Sequence, residues 1–166
     1  TLELVLGRHD IAATPAQLDD LARAWHRLDP WPDAVAGLTR LRQVVRIGTL
    51  SNGNTAALDA MARHGGLPWD VLLGAEVAQT YKPAPELYLR NVSALGLAPH
   101  QVMLVAAHNG DLAAASVLGV RTCFVPRPTE WGTQQTRDLT PTGPWDLVVD
   151  DLLDLAARFT QPPAPG

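Results

Sequence analysis

The sequence of 166 residues contains a single cysteine, Cys123, so no disulfide framework can hold it together. That thiol lies inside the apolar run RTCFVP, which predicts a buried, unreactive side chain and is compatible with a reducing compartment. Lys and Arg number 13 against 17 Asp and Glu, a formal charge of -4 at pH 7, and the basic residues nowhere crowd into a stripe. This argues against nucleic acid and against an anionic membrane surface as partners. No apolar stretch approaches the ~20 residues that span a bilayer, and no signal-peptide pattern opens the chain, so a cytoplasmic protein is expected. No group of residues has zinc-ligand spacing, and neither G-x-S-x-G nor G-x-x-x-x-G-K-[ST] occurs; neither metal nor cofactor is implied.

What the chain does have is enough apolar residues, 46%, for one domain with a sizeable core. From Val44 onward, strand-like and helix-like segments alternate. VVRIGTL (44–50), WDVLLGAE (69–76), QVMLVAA (101–107), RTCFVP (121–126) and the start of WDLVVDDLLDLAARF read as strands. Between them, NTAALDAMARHGG, APELYLRNVSALG and GDLAAASVLG have helical spacing and end at glycines. Repeated βα units with continuous apolar strands predict an α/β fold, a doubly wound, Rossmann-like parallel sheet covered on both faces. The first residues differ. Thr14 can cap a helix with Pro15 at its first position, and Leu18, Leu21, Trp25 and Leu28 follow at helical spacing. Asp33 can cap a second helix carrying Val35, Leu38 and Leu41, and the last residues, 161–166, read as a flexible tail.

In such a sheet, ligands sit beyond the carboxyl ends of the strands. Three stretches put polar groups there. Ser51-Asn52-Gly53 offers a hydroxyl, an amide and exposed N–H groups at the mouth of a helix, a setting for an anion, although the same residues also serve as ordinary caps and turns. In TYKPAPELY, Pro83 biases Lys82 toward extended backbone and Pro85 starts a helix, so Lys82 sits at the strand-end rim; Tyr88 follows on the first turn. In VMLVAAHNGDLAAA, an apolar strand ends in His108 and Asn109, and Asp111 opens a helix. Asp111 beside Lys82 would make a charge pair in the cleft.

In order and spacing, TLSNGN, YKPAPELY and VMLVAAHNGDLAAA resemble the second, third and fourth motifs of the haloacid dehalogenase superfamily. RAWHRLDPWPDAVAGLTRL and TCFVPRPTEWG further resemble its type II 2-haloacid dehalogenase branch. The resemblance implies an aspartate nucleophile that displaces halide from C2 of a 2-haloalkanoate, water then hydrolysing the ester. It implies that Ser51 and Asn52 bind the substrate carboxylate, that Lys82 holds the nucleophile's charge, and that Asp111 orients Lys82 or the hydrolytic water. Tyr88 and Asn109 would belong to the substrate pocket, and His108 to the catalytic group, its part in binding substrate, activating water or shaping the pocket being open. Ala106 and His108 depart from the serine and asparagine of the better-known dehalogenases. Phosphatases of the superfamily carry a magnesium-binding aspartate where this chain has Ala107, whose methyl cannot ligate the ion, so metal-free dehalogenation is favoured over phosphoryl transfer.

The same resemblance divides the chain into a remnant of a helical cap (1–32), a core lacking its first strand (33–160) and the tail. No apolar strand ending in D-x-x-G-T precedes Ser51. DIAAT (10–14) has Asp10 and Thr14 at the right separation but lacks the glycine, and Gly7, Arg8 and His9 interrupt the apolar run before it. The expectation is therefore an N-terminally truncated member of the family that does not turn over by itself. Other readings are a phosphatase and a non-catalytic carboxylate-binding or assembly protein. A homodimer through the helical cap is also expected.

Overall fold

The computed structural model describes residues 2–160; the tail expected at 161–166 lies outside the described residues. Three parallel strands, β1 (Met103–Ala106), β2 (Arg121–Phe124) and β3 (Leu147–Val148), form a sheet in that order. Met103 stands opposite Arg121, and Cys123 opposite Leu147. Side chains alternate between its faces. On one face Leu104 and Phe124 pack on α5 (Ala75–Ala78), α6 (Pro85–Ala94) and α7 (Asn109–Ser116). On the other, Met103, Val105, Cys123 and Val125 pack on α3 (Ala34–Leu41) and α8 (Leu152–Thr160). Helices thus cover both faces, as the continuous apolar strands predict.

Gly37 lets α3 lie directly on the start of α8: a Cβ there would come within 2.6 Å of the Leu152 Cβ. Asp33 occupies the cap position of α3, but its side chain does not cap the helix. Its carboxylate is instead drawn to Arg127 and to the N–H of Leu152.

Two expected strands are much reduced. The stretch 44–50, with Ser51 after it, meets 69–76 in isolated parallel bridges, Gly48 with Val71 and Ser51 with Gly74. Side chains take over ladder bonds here. The Thr49 hydroxyl donates to the Leu73 carbonyl at 2.8 Å and accepts the Leu73 N–H at 2.9 Å, while the Asp70 carboxylate accepts the Ile47 N–H at 3.0 Å. Among the described residues no strand pairs the outer edge of β1, and none joins this bridged pair to the three-stranded sheet. The sheet is therefore in two pieces. α4 (Thr55–Gly65) follows the bridged pair, capped by Asn54, whose Oδ1 accepts the Ala57 N–H at 2.7 Å.

The N-terminal region is helical but thinly packed. α1 (Leu2–Arg8) and α2 (Pro15–Ala22) bury no residue, although Thr14 caps α2 as expected, in a reciprocal box with Gln17. The single helix expected from Pro15 through Leu28 breaks at Arg23 into α2 and a 3-10 turn, Ala24–Arg27. Trp25 and Leu28 are left exposed, so no burial holds them in one helical register. No helix among the described residues is long and apolar enough to cross a membrane.

Cys123 is fully buried at the centre of β2, and burial foremost pushes its thiol up to about 11. An aromatic disulfide reagent at pH 8 is expected to leave the native protein unlabelled and to label one thiol per chain in denaturant. Fast labelling without denaturant would show an open core.

Candidate active site

Ser51 ends the bridged strand pair. Its Oγ accepts the Gly53 N–H at 3.0 Å, which closes a tight turn and leaves the hydroxyl proton free to donate. The next helix is capped by Asn54. Neither Ser51 nor Asn52 is therefore spent on capping, the ordinary use of such residues.

Asn52 reaches across to the following loop, where its Oδ1 accepts the backbone N–H of Lys82 at 2.6 Å. Its amide nitrogen has no protein partner among the described residues. Lys82, joined to Pro83 by a cis peptide, turns its side chain inward, and Nζ donates to Oδ2 of Asp111 at 2.5 Å. Both side chains are mostly covered, with 19% and 15% of their surface accessible. The second oxygen of Asp111 accepts the Tyr88 hydroxyl at 2.6 Å. Tyr88 is buried on α6, and burial, then the hydrogen bond to Asp111 and its charge, push the phenol well above its ordinary range. It therefore stays a neutral donor. Lys82 also lies 5.9 Å from the centre of the Tyr88 ring. A cleft of about 270 Å³ opens beside Asn52, lined in part by Glu76, Gln79 and Tyr81.

Ser51, Asn52, Lys82, Tyr88 and Asp111 are thus tied into one constellation by direct hydrogen bonds and short turns. His108 and Asn109 sit at the tip of β1, but their side chains engage the segment after β2. The Nε2 of His108 meets Glu130 at 2.8 Å, with the Trp131 ring 6.2 Å away and the Arg137 guanidinium over that ring at 4.5 Å. Asn109 commits its whole amide: Nδ2 donates to Asp138 and to the Thr140 carbonyl, and Oδ1 accepts from Thr142 and from the Trp145 indole. No hydrogen-bonding capacity is left on that amide for a ligand.

Glu130, Asp138, Asn91 and the pair Asp33–Arg127 were not among the sequence candidates. Only the run RPTEWG hinted at Glu130, because a carboxylate partner for His108 cannot be paired with it across 22 residues without a fold.

Residues 2–119 match the family of haloacid dehalogenase-like hydrolases, and the chain belongs to that family. It is 30% identical over 128 residues to the (S)-2-haloacid dehalogenase of Xanthobacter autotrophicus, a match covering 76% of this chain and 50% of that one. The crystal structure of a defluorinating L-2-haloacid dehalogenase superposes with a TM-score of 0.93 at 50% identity, over 96% of this chain and 66% of the other. That of the L-2-haloacid dehalogenase from Xanthobacter autotrophicus with chloropropionic acid covalently bound gives 0.80 at 26% identity, over 96% and 74%. The chain spans about half the length of the curated relatives it matches.

Proposed function

We propose that this chain carries the substrate-orienting part of a 2-haloacid dehalogenase, which hydrolytically removes halide from a short 2-haloalkanoate through an aspartyl ester. The observation that carries the reading is the Asp111 carboxylate held between Lys82 and Tyr88 while Asn52 ties the Ser51 turn to Lys82. The free Ser51 hydroxyl and the Asn52 amide nitrogen donate to the substrate carboxylate. Lys82 holds the charge of the attacking aspartate. That aspartate attacks C2, the carbon–halogen bond breaks and halide leaves with the bonding pair. Water then adds to the ester carbonyl, giving a 2-hydroxy acid and regenerating the carboxylate with release of a proton. Asp111 orients Lys82 or this water. His108, fixed by Glu130, belongs to the catalytic group by its position at the strand tip, and Asn109 acts as a brace for the segment around Thr140.

The attacking aspartate is assigned to a strand filling the gap between the two sheet pieces, so that 33–160 form a core without its first strand and 1–32 a remnant of a cap. The unpaired edge of β1 and the reduced bridges at Gly48 and Ser51 support this. The single buried thiol supports a cytoplasmic setting. Exposed Leu4, Leu21, Trp25 and Leu28 support a homodimer through the helical region.

Chloride release from L-2-chloropropionate tests the reading. This chain alone is expected to release none, and the same chain preceded by a strand ending in D-x-x-G-T to turn over repeatedly. Robust turnover by the short chain would remove the need for an external nucleophile. Inactivity of both, with magnesium-dependent cleavage of p-nitrophenyl phosphate, would shift the reading to phosphoryl transfer.

A further inference from the structure

Asn91 is a polar side chain only 1% exposed, on α6 among the apolar residues Leu87, Tyr88 and Val92. A buried amide is costly unless its hydrogen bonds are met, and here all are directed to backbone. Its Oδ1 accepts the Gly74 N–H at 3.0 Å, and its Nδ2 donates to the Gly74 carbonyl at 3.1 Å and to the Leu87 carbonyl at 2.7 Å. Both backbone groups of one glycine are thus gripped by one side chain.

Gly74 is the residue bridged to Ser51. The two backbones approach so closely that a Cβ on Gly74 would fall 2.3 Å from the Ser51 carbonyl oxygen, and the Ala75 N–H donates to that same oxygen at 2.9 Å. Fixing Gly74 therefore fixes Ser51. Three residues before Asn91, on the same face of α6, Tyr88 grips Asp111, which holds Lys82. Lys82 closes the circuit through its N–H to Asn52. One helix face anchors both arms of the site.

We infer that Asn91 is a positioning residue that sets where the Ser51 hydroxyl stands relative to Lys82, acting through Gly74. The inference rests on the reading of Ser51 as a carboxylate donor, and its test separates the two. The ¹⁵N-labelled chain is titrated with L-2-chloropropionate as wild type, as Asn91→Leu and as Val92→Ala, a neighbouring core change that removes no hydrogen bond to Gly74. In Asn91→Leu, the Ser51, Asn52 and Gly53 resonances are expected to move before any ligand is added. The β1 and β2 resonances should stay, and affinity should fall about tenfold. Val92→Ala should leave Ser51 and the affinity unchanged even where it lowers stability as much. If Asn91→Leu does not fold, Asn91→Ser, whose short polar side chain cannot reach Gly74 as the amide does, is read in the same way. Undisturbed Ser51 to Gly53 resonances in a folded Asn91 variant, or an effect equal to that of Val92→Ala, would overturn the inference. Failure of the wild type to bind chloropropionate would sink the carboxylate reading, while the resonances of the free variants still decide the part played by Asn91.

Discussion

Replacing Asp33 with asparagine is expected to cost about 3–5 kcal/mol of unfolding free energy, because it strands a covered guanidinium. Asp33 accepts from both terminal nitrogens of Arg127 at 2.9 and 2.8 Å and from the Leu152 N–H at 2.8 Å. The two side chains keep only 10% and 13% of their surface accessible, and the Arg127 guanidinium also lies 5.0 Å from the Trp31 ring centre. This pair pins the loop after β2 to the starts of α3 and α8, beside the contact that Gly37 permits. Asparagine keeps one acceptor but supplies no charge. Burial opposes ionisation of Asp33, yet the hydrogen bonds from Arg127 and Leu152 and the Arg127 charge outweigh it and hold the carboxyl below its ordinary range. A carboxyl lowered on folding stabilises the fold at pH values above its unfolded value of about 3.9, and that contribution fades as pH falls through the folded value. The gap between wild type and Asp33→Asn, measured by urea unfolding, should therefore be full at pH 7 and shrink below about pH 4. The exposed pair Arg23–Asp19, with 62% and 68% of its side-chain surface accessible, gives the contrast: Asp19→Asn should change stability by less than ~0.5 kcal/mol. A loss that small for Asp33→Asn would mean that Arg127 finds another partner.

Much of this arrangement is legible in the amino-acid sequence, for definite reasons. Continuous apolar runs such as VMLVA and TCFV need two covered faces, and α-helices on both sides of the sheet meet that need. The capping of α2 by Thr14 is local chemistry and reads directly from TPAQ. The pairing of Lys82 with Asp111 reads from the two polar stretches that follow apolar strand-like runs, TYKP and HNGD, which the fold brings together at 2.5 Å. What stayed hidden depends on distance along the chain. Asp33 reads as a cap because its partners lie 94 and 119 residues away. Asn91 looks like an ordinary polar position in a helix, since nothing in ELYLRNVSA says that Gly74 will stand beside it. Asn109 looks free at a turn, and only the folded segment from Asp138 to Trp145 claims its amide. The strands at 44–50 and 69–76 have the right composition, but composition cannot report whether a neighbour is there to extend them. Thr49 and Asp70 make up part of that deficit with their side chains.

Lys82→Met is expected to lower chloride release about a hundred- to a thousand-fold in the chain that carries the D-x-x-G-T strand, the scale lost when one preorganised charge-stabilising donor is removed. Methionine matches the length of the lysine stem and can occupy the same mostly covered channel, so the change deletes the ammonium with little loss of packing. Asp111 then keeps the Tyr88 hydroxyl but loses its cation, and the proposed attacking carboxylate would lose the charge assigned to it. Lys82→Arg should not restore the rate. Its planar fork needs two coplanar acceptors, whereas one oxygen of Asp111 is already taken by Tyr88 at 2.6 Å. Single-turnover measurements should show the deficit in the step that releases halide, with the urea slope unchanged to show that the fold is intact. Because the Lys82 backbone N–H still meets Asn52, the Ser51 turn should stay in place and binding of L-2-chloropropionate should weaken much less than the rate. A Lys82→Met protein that releases halide within a few-fold of wild type would show that the ammonium does not hold the attacking charge, and the Lys82–Asp111 pair would then be a structural tie between the loop before α6 and the start of α7.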